Sequence, residues 1–320
     1  MILDKVRDTI KKYGLIQNGD RIVVGVSGGP DSVVLLYLLL ALSKDLKITL
    51  HIAHLDHMLR KDSCKDREFV EGLAKKLSIS CTCAKINVKT ISKKGSLEEI
   101  ARDARLSFFF KVAKEIKAVK IALGHNLDDQ AETVLMRIIR GTGLYGLSGI
   151  LPKRVISGNT IIRPLIEVRR KEIEGFLNKR RIKPRIDSSN AQDVYFRNRI
   201  RKDLLPYLEK KYNGNIKEIL SNMAESVGLD YDYLSGIAER AMRQSKAGLR
   251  VDKLLKLHPA IRRLVIRRAI ARVKGDTRRI NFQHTREIED LISNRPVNSV
   301  VDLPKGVSVI KRKYLFFYLR

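Results

Sequence analysis

The sequence has few cysteines and lacks an apolar run long enough to cross a bilayer. Only 3 of its 320 residues are cysteines, and no C-x-x-C pair occurs. This small, odd number argues against a disulfide framework and favours a reducing compartment. The longest apolar run, residues 33–42, is far shorter than the ~20 residues that span a membrane. The first residues turn polar at once and resemble no secretory signal, so we expect a cytoplasmic protein.

Acidic residues are scarce relative to basic ones. The chain holds 35 Asp and Glu against 64 Lys and Arg, which leaves a net charge of +29. Such an excess predicts a polyanionic partner, either nucleic acid or an anionic membrane surface. With 44% hydrophobic residues, the chain is too apolar to be disordered. Its length favours two domains.

Strand and helix patterns alternate through the first half of the chain. Residues 21–26, 46–53, 79–88 and 118–123 have the apolar patterns of strands, with helical patterns between them. This alternation predicts an α/β fold, a Rossmann-like parallel sheet with helices on both faces. The later sequence predicts helices at 215–246, 251–257 and 259–274 and a terminal hairpin around residues 304–306. We therefore expect a catalytic domain at 1–212 and a smaller, mainly helical domain at 213–320.

A glycine pair lies between the first predicted strand and an apolar helix. Gly28 and Gly29 allow close approach of the backbone to a ligand. The N–H groups and the dipole of the following helix attract an anion such as pyrophosphate. A carboxylate at Asp31 is best explained by Mg²⁺ between it and the phosphates. The candidate phosphate-binding residues are Ser27, Gly28, Gly29, Pro30, Asp31 and Ser32.

Two better-known phosphate motifs are excluded by sequence and context. The chain contains no G-x-x-x-x-G-K-[ST] motif, so P-loop NTPase chemistry is not indicated. A G-x-G-x-x-G pattern occurs at residues 141–146, but it follows a predicted helix and not a strand. We interpret it as a helix stop and a glycine-rich surface loop.

Polar residues also follow the second predicted strand. Ala53 and His54 lie where open α/β sheets bind ligands, so we expect their backbone atoms to contact a nucleotide base. The spacing of His51, His54 and His57 also invites a zinc interpretation. However, His51 and His54 are three apart on a strand and face opposite sides, which disfavours zinc.

A third polar segment begins where another predicted strand ends. Two adjacent acids, Asp128 and Asp129, open the next helix, where acids commonly balance the helix dipole. That explanation accounts for one aspartate but not for His125 and Asn126 beside two carboxylates. Asp129 and Glu132 are three apart and share a helix face. They could bind a metal or an ammonium group.

These motifs together resemble the tRNA(Ile)-lysidine synthase family. The SGGPDS sequence is similar to the pyrophosphate loop (PP-loop) of N-type ATP pyrophosphatases, and the block at 124–150 separates lysidine synthases from the other members. The last 120 residues look like the family's smaller tRNA-binding domain, and we expect the short form without a further C-terminal domain. The matching stretches are VSGGPDS (26–32), AHLDHMLR (53–60), LEEIARDAR (97–105), GHNLDDQAETVLMRIIRGTGLYGLSGI (124–150), RPL (163–165) and DSSN…YFRNRIR (187–201).

The resemblance implies an ATP-dependent ligase. It would join lysine to C2 of the wobble cytidine in the CAU anticodon of tRNA(Ile) through an adenylated cytidine, releasing AMP and pyrophosphate. Asp31, Asp129 and His125 would be catalytic, and Asp31 and Asp129 would bind Mg²⁺. Arg102 would join the loop, Ala53 and His54 in binding ATP. Asp128 and Glu132 would bind L-lysine.

Several arginines are candidates for contact with the tRNA. Rings and cations alternate around residues 195–201, which suits an unstacked anticodon loop. A second set recurs at helical spacing near residue 265, where a solvated helix face is the alternative interpretation. A homodimer is a further expectation. The candidate RNA-binding residues are Arg197, Arg199, Arg201, Arg263 and Arg267.

Two other functions remain open at this point. One is a PP-loop tRNA sulfur-transferase, although that chemistry usually needs the cysteine pair or cluster that this sequence lacks. The other is a non-catalytic basic RNA-binding protein, which an intact SGGPDS and two acidic segments argue against.

Overall fold

The chain divides into two compact units, Met1–Glu225 and Ser226–Arg320. The computed structural model describes residues 1–58, 63–88, 97–185, 196–243 and 249–319. Parts of two motif stretches, residues 59–60 and 187–195, lie outside these ranges. The domain boundary expected at residues 212–213 falls in the turn between two helices, and it remains a prediction.

A mainly parallel sheet forms the centre of the first unit. Within the described residues its strand order is β3-β2-β1-β4-β6-β5. All neighbouring pairs are parallel except β5 and β6. This arrangement confirms the predicted α/β class. The strands are β1 (Arg21–Gly25), β2 (Thr49–Asp56), β3 (Cys81–Lys85), β4 (Lys120–Ala122), β5 (Lys153–Ile156) and β6 (Asn159–Ile162).

Helices cover both faces of this sheet, and the side chains of β1 alternate between the two cores that result. Ile22 and Val24 pack in the core that includes α2, whereas Val23 packs with Phe109 of α4 on the other face. Helix α2 is apolar on nearly all sides and is therefore buried. The helices are α1 (Ile2–Lys12), α2 (Pro30–Leu42), α3 (Ser63–Leu77), α4 (Leu97–Glu115), α5 (Leu127–Ile139), α6 (Leu144–Leu147) and α7 (Arg170–Lys179).

The segment after residue 195 is helical with an irregular turn. A short helix α8 (Phe196–Arg199) continues through a π-helical turn (Ile200–Leu204) into α9 (Leu205–Lys211), and α10 (Ile216–Arg243) follows. Ile200 and Leu205 are buried against Ala131 and Val134 of α5. Such π-helical turns are rare and are often found at functional sites.

The second unit packs helices on an antiparallel sheet with strand order β7-β10-β9-β8 in the described residues. Helix α12 has the predicted bounds and ends at Gly275, whose φ of 86° suits glycine. The predicted hairpin around residues 304–306 is formed by β8 and β9, and β10 adds a further strand that pairs with both β9 and β7. The elements are β7 (Leu249–Arg250), α11 (Val251–Lys256), α12 (Pro259–Lys274), α13 (Phe282–Ser293), β8 (Val300–Leu303), β9 (Val307–Lys311) and β10 (Tyr314–Leu319). No helix in the described ranges has the length and apolar character needed to span a bilayer.

Candidate active site

The phosphate loop joins β1 to α2 and is braced by its own hydroxyl groups. The Ser27 backbone N–H donates to Ser32 Oγ at 3.1 Å, and Ser32 Oγ donates to the Gly29 carbonyl at 3.0 Å. Gly28 has a φ of 90°, in the left-handed region that favours glycine. The loop thus holds a fixed curve at the N-terminus of a long helix, which is a favourable environment for an anion.

The end of β4 lies against the start of α2 because residue 124 lacks a side chain. A Cβ on Gly124 would lie 3.0 Å from the carbonyl carbon and oxygen of Asp31 and 3.1 Å from the Ser32 nitrogen. Backbone atoms cannot move aside as a flexible side chain can. Glycine at this position therefore brings the segment 124–132 beside the phosphate loop.

Asn126 links the two predicted catalytic carboxylates. It is fully buried at the N-cap of α5, where its Oδ1 accepts from the Asp129 backbone N–H at 2.9 Å. The Asn126 backbone N–H donates to Asp129 Oδ2 at 3.1 Å, and its Nδ2 donates to Asp31 Oδ1 at 2.8 Å. The sequence motifs give Asn126 no role of its own, although its position before a helix is a capping signal.

Two predicted RNA-binding arginines contact Asp129 and Glu132 of α5, which we call the acidic cluster. Arg197 Nε lies 2.8 Å from Glu132 Oε2, and its Nη2 lies 3.0 Å from Asp129 Oδ1. Arg201 pairs with the same two acids, at 2.5 Å from Glu132 Oε1 and 3.3 Å from Asp129 Oδ1. Glu132 is only 1% exposed, so these guanidinium groups supply the counter-charge that a buried carboxylate needs. Arg199 is exposed. The RNA-binding roles of these arginines remain predictions.

Arg170 is a charged residue at this site that no sequence motif indicates. Its Nη2 lies 3.9 Å from Asp31 Oδ2 and 3.6 Å from Asp129 Oδ1. Burial and the charge of Asp129 raise the pKa of the Asp31 carboxyl, while Arg170 and Asn126 act in the opposite direction. One oxygen from each aspartate thus faces a shared cation.

The same two oxygens fit the chemistry of Mg²⁺, which prefers hard oxygen ligands. The described residues contain no group of three or more His, Cys, Asp or Glu side chains able to hold a metal. An ion held by Asp31 and Asp129 would leave coordination positions for phosphate and water oxygens. This is the usual arrangement when Mg²⁺ accompanies a nucleotide.

Asp128 is held by groups outside this cluster. Its Oδ2 accepts from the Arg170 backbone N–H at 2.7 Å, and its Oδ1 lies 3.1 Å from Lys217 Nζ. Lys217 also pairs with Glu209 at 3.0 Å. The side chain that we expected to bind lysine already has a lysine ammonium of the protein as its partner, and its substrate role remains a prediction.

His125 lies at the end of β4 among cationic side chains. The Arg163 Nε–H donates to His125 Nδ1 at 3.3 Å. Burial, followed by the charges of Arg163, Arg105, Arg197 and Arg102, lowers the pKa of the imidazole well below its usual value. His125 is therefore neutral near pH 7. Arg102, one of these arginines, is exposed on α4.

The end of β2 is tied to the phosphate loop. His54 is buried, and its Nδ1 lies 2.8 Å from the Val26 carbonyl oxygen. The Ala53 carbonyl accepts from the Val26 N–H at 3.0 Å. The ring of His51 instead bonds to Ser80 and Thr82 on the neighbouring strand segment. Binding of the base by Ala53 and His54 remains a prediction.

The two remaining candidate arginines lie on α12 of the second unit. Arg263 Nε lies 2.9 Å from Glu289 Oε2, and its guanidinium stacks over the Phe282 ring at 5.1 Å from the centroid. Arg267 Nη1 donates to the Ile280 carbonyl at 3.0 Å. Both therefore have partners within their own unit, and their contact with RNA remains a prediction.

Comparison with known proteins gives matches along most of the chain. A PP-loop domain model matches residues 2–208, and a TilS substrate binding domain model matches residues 249–316. The tRNA(Ile)-lysidine synthase of Clostridioides difficile is 43% identical over 323 residues, covering 98% of this chain and 69% of the relative. That of Caldanaerobacter subterraneus subsp. tengcongensis is 39% identical, covering 97% of this chain and 67% of the relative.

Among solved structures, the U34-tRNA thiolase NcsA from Methanococcus maripaludis superposes with a TM-score of 0.59 at 21% identity, covering 71% of this chain and 78% of the thiolase. At that identity the match supports the shared fold alone. The lysidine synthases share twice that identity across nearly the whole chain. The chain belongs to the tRNA(Ile)-lysidine synthase family.

Proposed function

We propose that this protein is the ligase that joins lysine to C2 of the wobble cytidine in the CAU anticodon of tRNA(Ile). The observation that carries the proposal is the similarity to lysidine synthases over 98% of the chain. The C2 oxygen of cytidine attacks the α-phosphorus of ATP, and the bond to pyrophosphate breaks. The lysine ε-nitrogen then attacks C2, the C2–O bond breaks, and AMP leaves with that oxygen.

The phosphate loop serves the first step by holding the nucleotide. The N-terminus of α2 supplies positive potential that does not have to reorganise during reaction. Mg²⁺ held by Asp31 and Asp129 would, when bound, offset the charge of the phosphates and of the leaving pyrophosphate. Asn126 keeps both carboxylates in place through its bonds to Asp31 and Asp129.

The acidic side chains of α5 serve the second step by binding lysine. A free lysine amine has a pKa of about 10.4, so the nucleophile must lose a proton before it attacks. We propose that Asp128 and Glu132 bind this ammonium group. Because Glu132 is paired with Arg197 and Arg201, the substrate ammonium must exchange with a guanidinium. A released arginine is then available to the lysine carboxylate or to the RNA backbone.

We further propose that the domain boundary lies near residues 212–213. The first family match ends at residue 208 and the second begins at residue 249. RNA contact would involve Arg197, Arg199 and Arg201 in the first unit and Arg263 and Arg267 in the second. Exposed Arg199 is the cleanest probe, because its loss leaves the acidic cluster intact.

Pyrophosphate release tests the proposed function directly. The purified chain is mixed with ATP, Mg²⁺, L-lysine and a tRNA(Ile) transcript carrying CAU, and the product nucleoside is identified by mass spectrometry. We expect lysine-dependent turnover and the mass of lysidine. An equal rate with a methionine tRNA, or incorporation of sulfur and no lysine, would refute the proposal. Arg199→Ala should weaken tRNA binding more than ATP binding.

A further inference from the structure

Arg163 is a nearly buried cation whose guanidinium and backbone N–H each donate to a backbone carbonyl. It is 5% exposed. Its Nη1 donates to the Leu151 carbonyl at 2.6 Å, and its backbone N–H donates to the Pro152 carbonyl at 2.9 Å. Burial and the charges of Arg102 and Arg154 lower the pKa of Arg163 to about 10. The group therefore remains protonated near pH 7 and can only donate hydrogen bonds.

This fixed donor determines which nitrogen of His125 carries the proton. Arg163 Nε donates to His125 Nδ1 at 3.3 Å, so Nδ1 must offer a lone pair. In a neutral imidazole the other nitrogen then carries the hydrogen. His125 as a whole residue is partly exposed. Among the described residues, Arg163 is its hydrogen-bond partner, which leaves the Nε2–H as the group available to a ligand.

The charges around His125 indicate what that ligand is. Four guanidinium charges disfavour the imidazolium form of His125. They belong to Arg163 after β6, to Arg102 and Arg105 on α4, and to Arg197 on α8. A neutral N–H donor in this positive potential suits an anionic oxygen. The next residue, Asn126, bonds to Asp31 at the end of the phosphate loop, where the proposed reaction supplies the phosphate oxygens of ATP.

We propose that Arg163 is a positioning residue that holds His125 in the Nε2–H tautomer, so that His125 donates a hydrogen bond to a phosphate oxygen of ATP and does not accept a proton. The proposal rests on the proposed function for the identity of the anion. It assigns a role to the arginine of the RPL motif and makes His125 an electrostatic partner of the adenylation step. The deprotonation of lysine then depends on other groups.

Nitrogen NMR of the full chain tests the tautomer without any enzyme assay. The protein is labelled with ¹⁵N-histidine, and the His125→Gln variant identifies the His125 signals among the 6 histidines. We expect an unprotonated Nδ1 and a protonated Nε2 that stay unchanged from about pH 5.5 to 8.5. A protonated Nδ1, or an imidazolium in that range, would overturn the proposal even if lysidine forms.

Variants of Arg163 test the consequence for catalysis. Arg163→Met should give His125 signals averaged between the two tautomers and lower kcat about 10- to 100-fold, with a smaller change in the KM for lysine. Arg163→Lys retains a donor and should recover part of both effects. An unchanged tautomer and an unchanged kcat in Arg163→Met would overturn the proposal.

Arg137→Gln provides the matched control. Arg137 is also a partly buried arginine, but its Nη1 donates to the carbonyls of Gly146 and Gly149, at 2.8 Å each. Its loss should lower stability without changing the His125 nitrogen shifts. If Arg137→Gln changed those shifts as much as Arg163→Met, the effect would be general loosening and the proposal would fail. If the wild type shows no lysidine formation but has the Nε2–H tautomer, the proposed function fails and the tautomer assignment stands.

Discussion

Asn126 is expected to contribute to stability and activity through two separable contacts. Replacement by alanine removes the N-cap of α5, worth about 1 kcal/mol. It also removes the hydrogen bond from Nδ2 to the Asp31 carboxylate, 2.8 Å long, and bonds to charged groups contribute about 1.5 to 3 kcal/mol. Because the two contacts share one side chain, the total loss should lie between about 2 and 4 kcal/mol.

Asn126→Asp separates the two contacts. Aspartate caps helices as well as asparagine does, so the bond to the Asp129 N–H should survive. The new carboxylate, however, places an oxygen where Nδ2 donated to Asp31. Two carboxylates that share a site raise the pKa of one of them. Because the folded state then binds a proton more tightly than the unfolded state, the stability deficit should grow as the pH rises through that raised pKa and shrink as it falls.

The measurement is the free energy of unfolding in urea at two pH values, together with lysine-dependent pyrophosphate release. Asn281 provides a matched control, since it caps α13 by accepting from the His284 N–H at 3.0 Å and is exposed. Asn281→Ala should lose about 1 kcal/mol, and Asn281→Asp should be nearly neutral. If Asn126→Ala costs no more than Asn281→Ala and retains activity, Asn126 does not link the carboxylates as we argue.

Three further predictions concern Gly124 beside the phosphate loop, the carboxyl group of Asp31, and the thiols of Cys64 and Cys81. Gly124→Ala should raise the KM for ATP and lower the free energy of unfolding by about 1 to 3 kcal/mol, because the new Cβ would lie 3.0 Å from backbone atoms. Gly72 has open space around it, so Gly72→Ala should raise helix stability by up to about 1 kcal/mol. Equal behaviour of the two variants would contradict this. Asp31→Asn should abolish pyrophosphate release yet increase the free energy of unfolding at pH 8, because burial and the charge of Asp129 raise the pKa of Asp31 and each unit corresponds to about 1.4 kcal/mol. That gain should disappear below the unfolded pKa of about 3.9, and a loss of stability at pH 8 would be inconsistent with the raised pKa. Iodoacetamide at pH 7.5 should label exposed Cys64 long before Cys81, whose pKa burial raises to about 12; peptide mass spectrometry that found equal labelling would refute the difference.

Local sequence signals were sufficient to predict an element where one short segment contains its own start and stop residues. Helix α12 was predicted with its exact bounds because Pro259 suits the first turn and Gly275 the left-handed C-cap. The phosphate loop was found in the same way, from a glycine pair between an apolar strand and an apolar helix. The strand β10 was not resolved by pattern alone, because its apolar run gains a partner only when β9 and β7 lie beside it.

The arginines of the candidate site were less predictable. Their alternation with rings near residue 197 suggested RNA contact, whereas Arg197 and Arg201 pair with Asp129 and Glu132, which are 65 to 72 residues away in sequence. A pattern records which faces are charged but not which opposite charge will be nearest. The same limit hid Arg170, because its partner Asp31 lies on a different helix.

The amino-acid sequence by itself determined the alternation of strands and helices, the phosphate loop, the acidic segment and the family, because each depends on residues close together in the chain or on direct similarity. Only the tertiary structure decided that Asn126 joins Asp31 to Asp129, that arginines neutralise the buried acids and that Arg163 donates to His125. These contacts form when a parallel sheet brings the ends of distant strands to one edge. Hydrogen bonds and ion pairs act over a few ångströms, so their partners are set by the fold.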